Sequence, residues 1–265
     1  MSSLVFPQLS TGALAQFPIR KSISLHTVTN VLEDGTVLAY PDPNSGCLRW
    51  DLSYADLNPT ELAALQSLFD SCSGRLAPFT FIDPTGNMFG FSMNLAAAAW
   101  QTQGLITIQT GVSDPLGGLA AFMLTNTGQV PIDFVQTINA PAAFKYCCSA
   151  YIRGTSTGSV TLVRKSALEI AQDQLEVGMA WNRIASSSQL TKNADNFVAG
   201  IQLLPGQDFA LFGLQLEPQL VPSRYRATPS LGGIYPNAHW SSDQIAFNET
   251  APGVFSINAS VEVYL

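Results

Sequence analysis

Between Phe144 and Gly154 the chain reads FKYCCSAYIRG, and as a strand it sorts into two rows that point to opposite faces of a sheet. Phe144, Tyr146, Cys148, Ala150 and Ile152 make a row suited to a core, while Lys145, Ser149, Tyr151 and Arg153 make the opposite row. Farther along, GLQLEP repeats the arrangement: Leu214 and Leu216 share one face, Gln215 and Glu217 the other, and Pro218 stops the strand. Ser149, Tyr151, Arg153, Gln215 and Glu217 are the groups a sugar-binding sheet face uses, a ring to cover an apolar sugar face and polar groups to bond its hydroxyls. The same alternation also describes the ordinary polar outer face of any sandwich. It nominates these five residues as glycan-binding candidates without separating the two readings. Trp100 and Trp181 read as core packing rather than ligand contacts.

Catalysis finds less in the sequence. Glu169 with Asp173, or Asp173 with Glu176, are the residue types that glycoside hydrolysis needs, but they read better as the solvated edge of a variable segment. No GxSxG, HExxH or phosphate-cradling glycine loop is present; GVSDPLGG (111–118) lacks a lysine and precedes a strand, so it reads as a turn. Cys47, Cys72, Cys147 and Cys148 show no ligand spacing, and His26 and His239 lie far apart. No metal, cofactor, disulfide or enzymatic activity is expected, and the adjacent Cys147 and Cys148 read as small buried thiols.

The elements that would position these residues are mostly strands. LRWDLSYADL (48–57) alternates Leu48, Trp50, Leu52 and Tyr54 against Arg49, Asp51 and Ser53, and leads into a helix start with Asn58 as N-cap, Pro59 at the first position and Glu61 closing a capping box. Leu62, Leu65, Leu68, Phe69 and Cys72 share a helical stripe, and Gly74 is placed to end it in the left-handed conformation. FTFIDPTGN (79–87) reads as a short aromatic strand closed by a turn. From about Met93, short strands with turn signals every 8 to 15 residues, such as AAFMLTNTG, DFVQTINAP, GSVTLVRK and FVAGIQLLPG, predict a β-sandwich of the jelly-roll type. SALEIAQDQLEV (166–177) suits a helix no better than a loop or strand pair. GGIYPNAHW reads as a loop and DQIAFNET as a strand. Phe255, Ile257, Ala259, Val261, Val263 and Leu265 alternate along one long final strand.

Only 12% of the 265 residues are charged, against about 25% in ordinary soluble proteins. With mean hydropathy of +0.18, this predicts a surface rich in uncharged polar groups and partly covered by other subunits. No apolar run is long enough for a membrane helix, so no membrane insertion is expected. The net charge of −7, with 12 scattered Lys and Arg, argues against a nucleic-acid partner. MSSLVFPQLS has no basic or apolar leader region, so synthesis in the cytoplasm is expected.

The final strand needs a partner, and the simplest arrangement is nested: residues 1–92 and 223–265 form one domain, and residues 93–222 form a jelly roll inserted at an exposed turn. The first domain resembles the distal tail proteins of long-tailed bacteriophages and of related gene transfer agents. The residues that carry the resemblance are FPQLSTGALAQFPIRKS, LRWDLSYADLNPTELAALQSLFDSCSG, RLAPFTFIDPTGN and the closing YPNAHWSSDQIAFNETAPGVFSINASVEVYL. The middle, from SMNLAAAAWQTQG through DPLGGLAAFMLTNTG and YCCSAYIRG to FGLQLEPQLVPSRY, is similar to the carbohydrate-binding-module-like jelly rolls appended to many phage tail proteins. The resemblance implies a mainly β fold, with a tail-tube-like β domain carrying one α-helix plus the inserted sandwich. It further implies a virion structural protein at the tail tip or baseplate, a cyclic homo-oligomer, commonly a hexamer, between tail tube and tail hub, with the jelly roll contacting host surface polysaccharide. A stand-alone carbohydrate-binding lectin and a glycan-degrading tail protein are the alternative readings.

Overall fold

A computed structural model describes residues 4–42, 45–102 and 105–265. In chain order the elements are β1 (Arg20–Ser24), β2 (Thr27–Val31), β3 (Val37–Pro41), β4 (Cys47–Leu57), α1 (Pro59–Cys72), β5 (Phe79–Ile82), β6 (Gln101–Thr102), β7 (Ile106–Val112), β8 (Ala121–Asn126) and β9 (Ile132–Ile138). They continue with β10 (Tyr146–Gly154), β11 (Gly158–Lys165), β12 (Ile170–Val177), β13 (Asn182–Ser188), β14 (Phe197–Leu203), β15 (Asp208–Glu217), β16 (Ile234–Trp240), β17 (Ala246–Ala251) and β18 (Val254–Tyr264). The chain divides into two compact units. The first comprises Met1–Ser10, Leu14–Phe81 and Tyr235–Leu265, and the second Thr11–Ala13 and Ile82–Ile234.

In the first unit one sheet runs β1-β4-β18-β16-β5, with β17 also on β18. The final strand therefore lies between β4 and β16: Trp50 faces Val261, Leu52 faces Ala259 and Leu48 faces Val263. Ile257, Ala259, Val261 and Val263 are buried, as the alternation requires, while Leu265 is exposed. Helix α1 begins as its sequence dictates. Asn58 accepts from the backbone N–H groups of Thr60 and Glu61, and Glu61 accepts from the Asn58 N–H at 3.0 Å. It ends one residue earlier than Gly74 alone would set, since Ser73 is already left-handed (φ 52°) ahead of Gly74 (φ 66°). Leu62, Leu65, Leu68 and Cys72 are buried, and Phe69, half-buried, meets Trp240 at 5.8 Å. The core is aromatic, with Phe6 packed edge-on to Phe81 at 5.3 Å and Trp50 against Phe81 and Tyr235 at 5.0 and 5.1 Å. GGIYPNAHW is a strand and not a loop over Ile234–Trp240, because Tyr235, Ala238 and Trp240 have partners in this core that local turn signals do not reveal. Strands β2 and β3 form a separate two-stranded ribbon.

The second unit is a jelly-roll sandwich of two antiparallel sheets, β13-β10-β15-β8-β7 and β12-β11-β14-β9-β6. Leu124, Phe134, Ala150, Ile152, Ile201, Leu211 and Leu214 are fully buried in the unit. The segment 166–177 resolves as an edge strand, β12, paired along its length with β11. Its alternating exposure shows that Leu175 and Asp173 share a strand face, so the helical spacing was coincidental.

The compact unit starts at Ile82 and ends at Ile234, wider at both ends than the 93–222 read from the change in texture. Hydrogen bonds set these limits: Met88 N–H donates to Leu216 O at 2.8 Å, Phe91 N–H to Ser230 O at 2.7 Å and Gly233 N–H to Asn87 O at 2.8 Å. Asn87, 1% exposed, fills all its remaining capacity here. Its Nδ2 donates to Leu214 O (3.1 Å) and Arg226 O (3.2 Å), and its Oδ1 accepts from the N–H groups of Phe89 (3.0 Å) and Leu216 (3.1 Å). Replacing Asn87 with Ala strands buried donors and acceptors together, and is expected to lower stability by about 3 kcal/mol or more. The measurement is a urea unfolding curve, in which the midpoint falls and the slope does not change. For the same reason residues 82–234 are expected to unfold cooperatively as a fragment, whereas 93–222, lacking Asn87 and Phe89, is expected to lose its sharp transition.

Candidate functional site

The five nominated residues do not form one open face. Tyr146, Cys148, Ala150 and Ile152 face the core as the alternation requires, but on the opposite face Ser149 and Gln215 are 0% exposed and Glu217 is 2% exposed. The chain leaving β15 doubles back over them. Glu217 accepts from the Ser223 N–H at 3.0 Å, from the Ser223 hydroxyl and from Gln219 Nε2 at 3.1 Å. Gln215 Oε1 accepts from the Arg226 N–H at 2.7 Å, and Ser149 accepts from Arg183 at 3.0 Å. Gln215 and Glu217 are thus anchors for a strap over residues 219–228 rather than sugar ligands. Alternation identifies them as facing away from the core; it carries no information about what covers that face.

Tyr151 and Arg153 lie beyond the strap and stay half-exposed. Between Ser149 and Tyr151 the register with β15 shifts by a bulge at Gly213, whose φ of 66° a side chain would resist. A Cβ at Gly213 would also lie 3.1 Å from the Tyr225 ring, which packs edge-on to Phe212 at 5.3 Å and holds its hydroxyl 2.9 Å from Ser92. Burial pushes the Tyr225 hydroxyl above the ordinary phenol range, against the opposing effect of the Ser92 bond. Beyond this point the face is partly open: Tyr151 and Arg153 are half-exposed, and Ala210, opposite Arg153, is buried.

On that open part the structure brings in two residues that the sequence reading did not nominate. Tyr151 pairs with Arg183 of the neighbouring strand β13, and the Arg183 guanidinium lies 5.3 Å from the Tyr151 ring centre. Arg153 lies 5.1 Å from the ring centre of Trp181, just before β13. Two aromatic-x-arginine triplets, YIR (151–153) and WNR (181–183), run antiparallel, so rings and guanidinium groups alternate as a checkerboard. Trp181 is half-exposed on this face and not a core residue, unlike Trp100, which is buried and stacked on Phe134 at 4.9 Å. The signal was available as the paired triplets, but only the β10–β13 pairing gives it meaning.

At the same end of the sandwich, Gly154 donates to Gly178 O at 2.9 Å, beside a groove of about 810 Å³ lined by Thr157, Gly158, Ser159, Gln174, Glu176 and Gly178. Its hydroxyl, amide and carboxylate lining suits a hydroxyl-rich ligand. Other candidates for chemistry are structural. Asp173 accepts from Arg164 at 3.4 Å and from Ser186 at 2.6 Å, Glu169 accepts from the Thr191 and Lys192 N–H groups, and burial pushes the Cys148 thiol up to about 12.

No family model and no curated protein sequence matches this chain. Among solved structures, the enzymatically active domain of tailspike protein 4 of bacteriophage CBA120 is similar over 53% of this chain, with 17% identity and a TM-score of 0.40. The first carbohydrate-binding and catalytic modules of Clostridium thermocellum xylanase 10B are similar over 51%, with 14% identity and a TM-score of 0.39. The match spans 22% and 28% of those two chains, respectively. The C-terminal family 22 carbohydrate-binding module of the same xylanase is similar over 54% of this chain and 99% of its own length, with 12% identity and a TM-score of 0.42.

Substitutions along these strands separate core, strap and open face. Tyr146→Ala removes a ring that is 1% exposed and is expected to cost about 3–5 kcal/mol. Tyr151→Ala, half-exposed, is expected to cost about 1–2 kcal/mol, the loss of its packing on Phe212 and Arg183. Glu217→Ala leaves the Ser223 N–H without its partner and is expected to cost about 1–3 kcal/mol while opening residues 219–226 to limited proteolysis. Thermal unfolding and a timed digest with mapped cut sites check the three together.

Proposed function

We propose that this chain is a structural component of a phage or prophage tail tip, in which the first unit assembles with copies of itself into a ring between tail tube and tail hub, and the jelly roll contacts host surface glycans. It is made in the host cytoplasm, resides in the virion tail tip and carries out no catalytic step.

The observation that carries the assembly half is the ribbon β2–β3. Nearly every residue of both strands is exposed, yet apolar pairs sit on each face, Val28 opposite Tyr40 on one and Val31 opposite Val37 on the other. Val31 is 65% and Val37 60% exposed. An isolated two-stranded ribbon is marginal in water, and apolar side chains on both of its faces favour a partner surface. Ile23 and Leu25, which precede it in sequence, are also exposed, at 61% and 75%. The low charge content of the chain supports the reading, since few like charges oppose close packing of copies. The glycan half is supported by the checkerboard and the adjoining hydroxyl-lined groove, which place half-exposed rings and polar groups together on one unit.

The ring is tested by light scattering of the chain alone and with tail tube and hub proteins. A closed oligomer is expected, with six subunits. The double variant Val31→Asp, Val37→Asp is expected to remain monomeric in both settings and to unfold with a midpoint close to that of the dissociated wild-type chain, because both positions are exposed in the single chain. Oligomers of undiminished size from the double variant, or a wild-type chain that stays monomeric beside tube and hub, would count against this role.

A further inference from the structure

We infer that the YIR/WNR checkerboard recognises an anionic glycan, its guanidinium groups taking carboxylate, sulfate or phosphate oxygens and the Trp181 ring a sugar face. This rests on the glycan-contact reading above and narrows it to charged polymers.

Cations are scarce in this chain, 12 Lys and Arg against 19 Asp and Glu. Two of them nevertheless sit on adjacent strands of one face with no carboxylate partner among the described residues; the ion pairs there use Arg49, Arg164, Lys165 and His26. Most of their donors are unspent. Arg153 makes a single long bond, to the Ser113 hydroxyl at 3.3 Å. Arg183 bonds through Nη2 to Ser149 and to Ser223 O at 2.5 Å, which leaves its Nε buried with no acceptor. That Nε is shielded from solvent and so from a ligand; what Arg183 offers a ligand is its Nη1, which carries no hydrogen bond among the described residues.

The geometry favours an oxyanion over a neutral hydroxyl. Each guanidinium is held against a ring, which orders its planar fork and leaves it weakly hydrated, the state suited to bidentate binding of carboxylate or phosphate. The acceptors that would have balanced the face for neutral sugars, Gln215 and Glu217, are sealed beneath the strap. Beside the two rings the charged groups are Arg153 and Arg183, both donors; the carboxylate on the same face, Asp208, is bonded to Thr155 beyond Arg153. Arg153 and Arg183 stand diagonally across the paired strands β10 and β13, about 7–8 Å apart at the backbone, so one charged polymer strand can reach both. Asp208 and Glu176 line grooves at the end of the sandwich, and Asp208 is bonded to Thr155.

The test is titration calorimetry on the full chain with polygalacturonate, its fully methyl-esterified form, dextran sulfate, unmodified dextran and long-chain polyphosphate. Binding to at least one charged sugar polymer is expected, weakening several-fold between 50 and 200 mM NaCl as screening grows, with the uncharged form of that polymer at least tenfold weaker. The charged polymer that binds identifies the oxyanion. Arg153→Ala and Trp181→Ala are expected to weaken binding about ten- to a hundredfold with the unfolding midpoint held, and Arg153→Lys to recover part of the loss. Arg183→Gln provides a second variant should either fold poorly. Equal binding of charged and uncharged forms overturns the anionic inference and leaves the glycan-contact reading standing. Undiminished charged-polymer binding by Arg153→Ala, Trp181→Ala and Arg183→Gln overturns this site. Binding of polyphosphate alone, or of nothing, overturns both.

Discussion

A buried side-chain amide that bonds three stretches of chain at once is the constraint on which the second unit depends. Asn87 joins the entering segment at Phe89, the strand β15 at Leu214 and Leu216, and the leaving segment at Arg226. Its two donors and its acceptor oxygen are used within a site that is 1% exposed, where each bond is worth most and each omission costs most. The amide therefore fixes where the returning strap rejoins β15, at Arg226, as well as where the entering segment meets it. Everything described on the outer face of β10 and β15 follows: the strap seals Ser149, Gln215 and Glu217, stops at Tyr225, and leaves Tyr151, Arg153, Trp181 and Arg183 partly open.

The parts of the fold written in local chemistry were legible in the sequence. Asn58, Pro59 and Glu61 announce a helix start because each satisfies a specific backbone group, and the structure has those bonds. The alternation of Leu48, Trp50, Leu52 and Tyr54, and of Ile257 through Val263, announces half-buried strands because period two leaves no other regular solution. Strand β16 was not legible, since Gly232, Gly233 and Pro236 look like punctuation and its partners lie far away in sequence. Segment 166–177 was ambiguous because apolar residues at 168, 171 and 175 suit a helix while pairing with β11 decides for a strand.

The candidate site shows the same division more sharply. The inward and outward rows of β10 were assigned correctly from alternation, with Tyr146 buried and Tyr151 and Arg153 half-exposed on the other side. Which outward residues meet solvent is a tertiary property, and a strap crossing half of a face is invisible to a periodicity of two. Trp181 and Arg183 were missed for a related reason. A tryptophan taken alone reads as packing; Trp181 shows itself as a half-exposed surface ring only once WNR lies antiparallel to YIR and Arg153 meets it.

The position of β18 beside β4 also sets an order of events during synthesis. Asp51 and Ser260, hydrogen-bonded across these strands, are 209 residues apart, a gap the ribosome takes roughly 10 to 40 seconds to cross at ordinary rates. The sandwich emerges whole within that interval, while β4 waits with an unpaired edge. The sheet of the first unit is therefore completed only after the last strand is released, by which time the jelly roll has had time to fold.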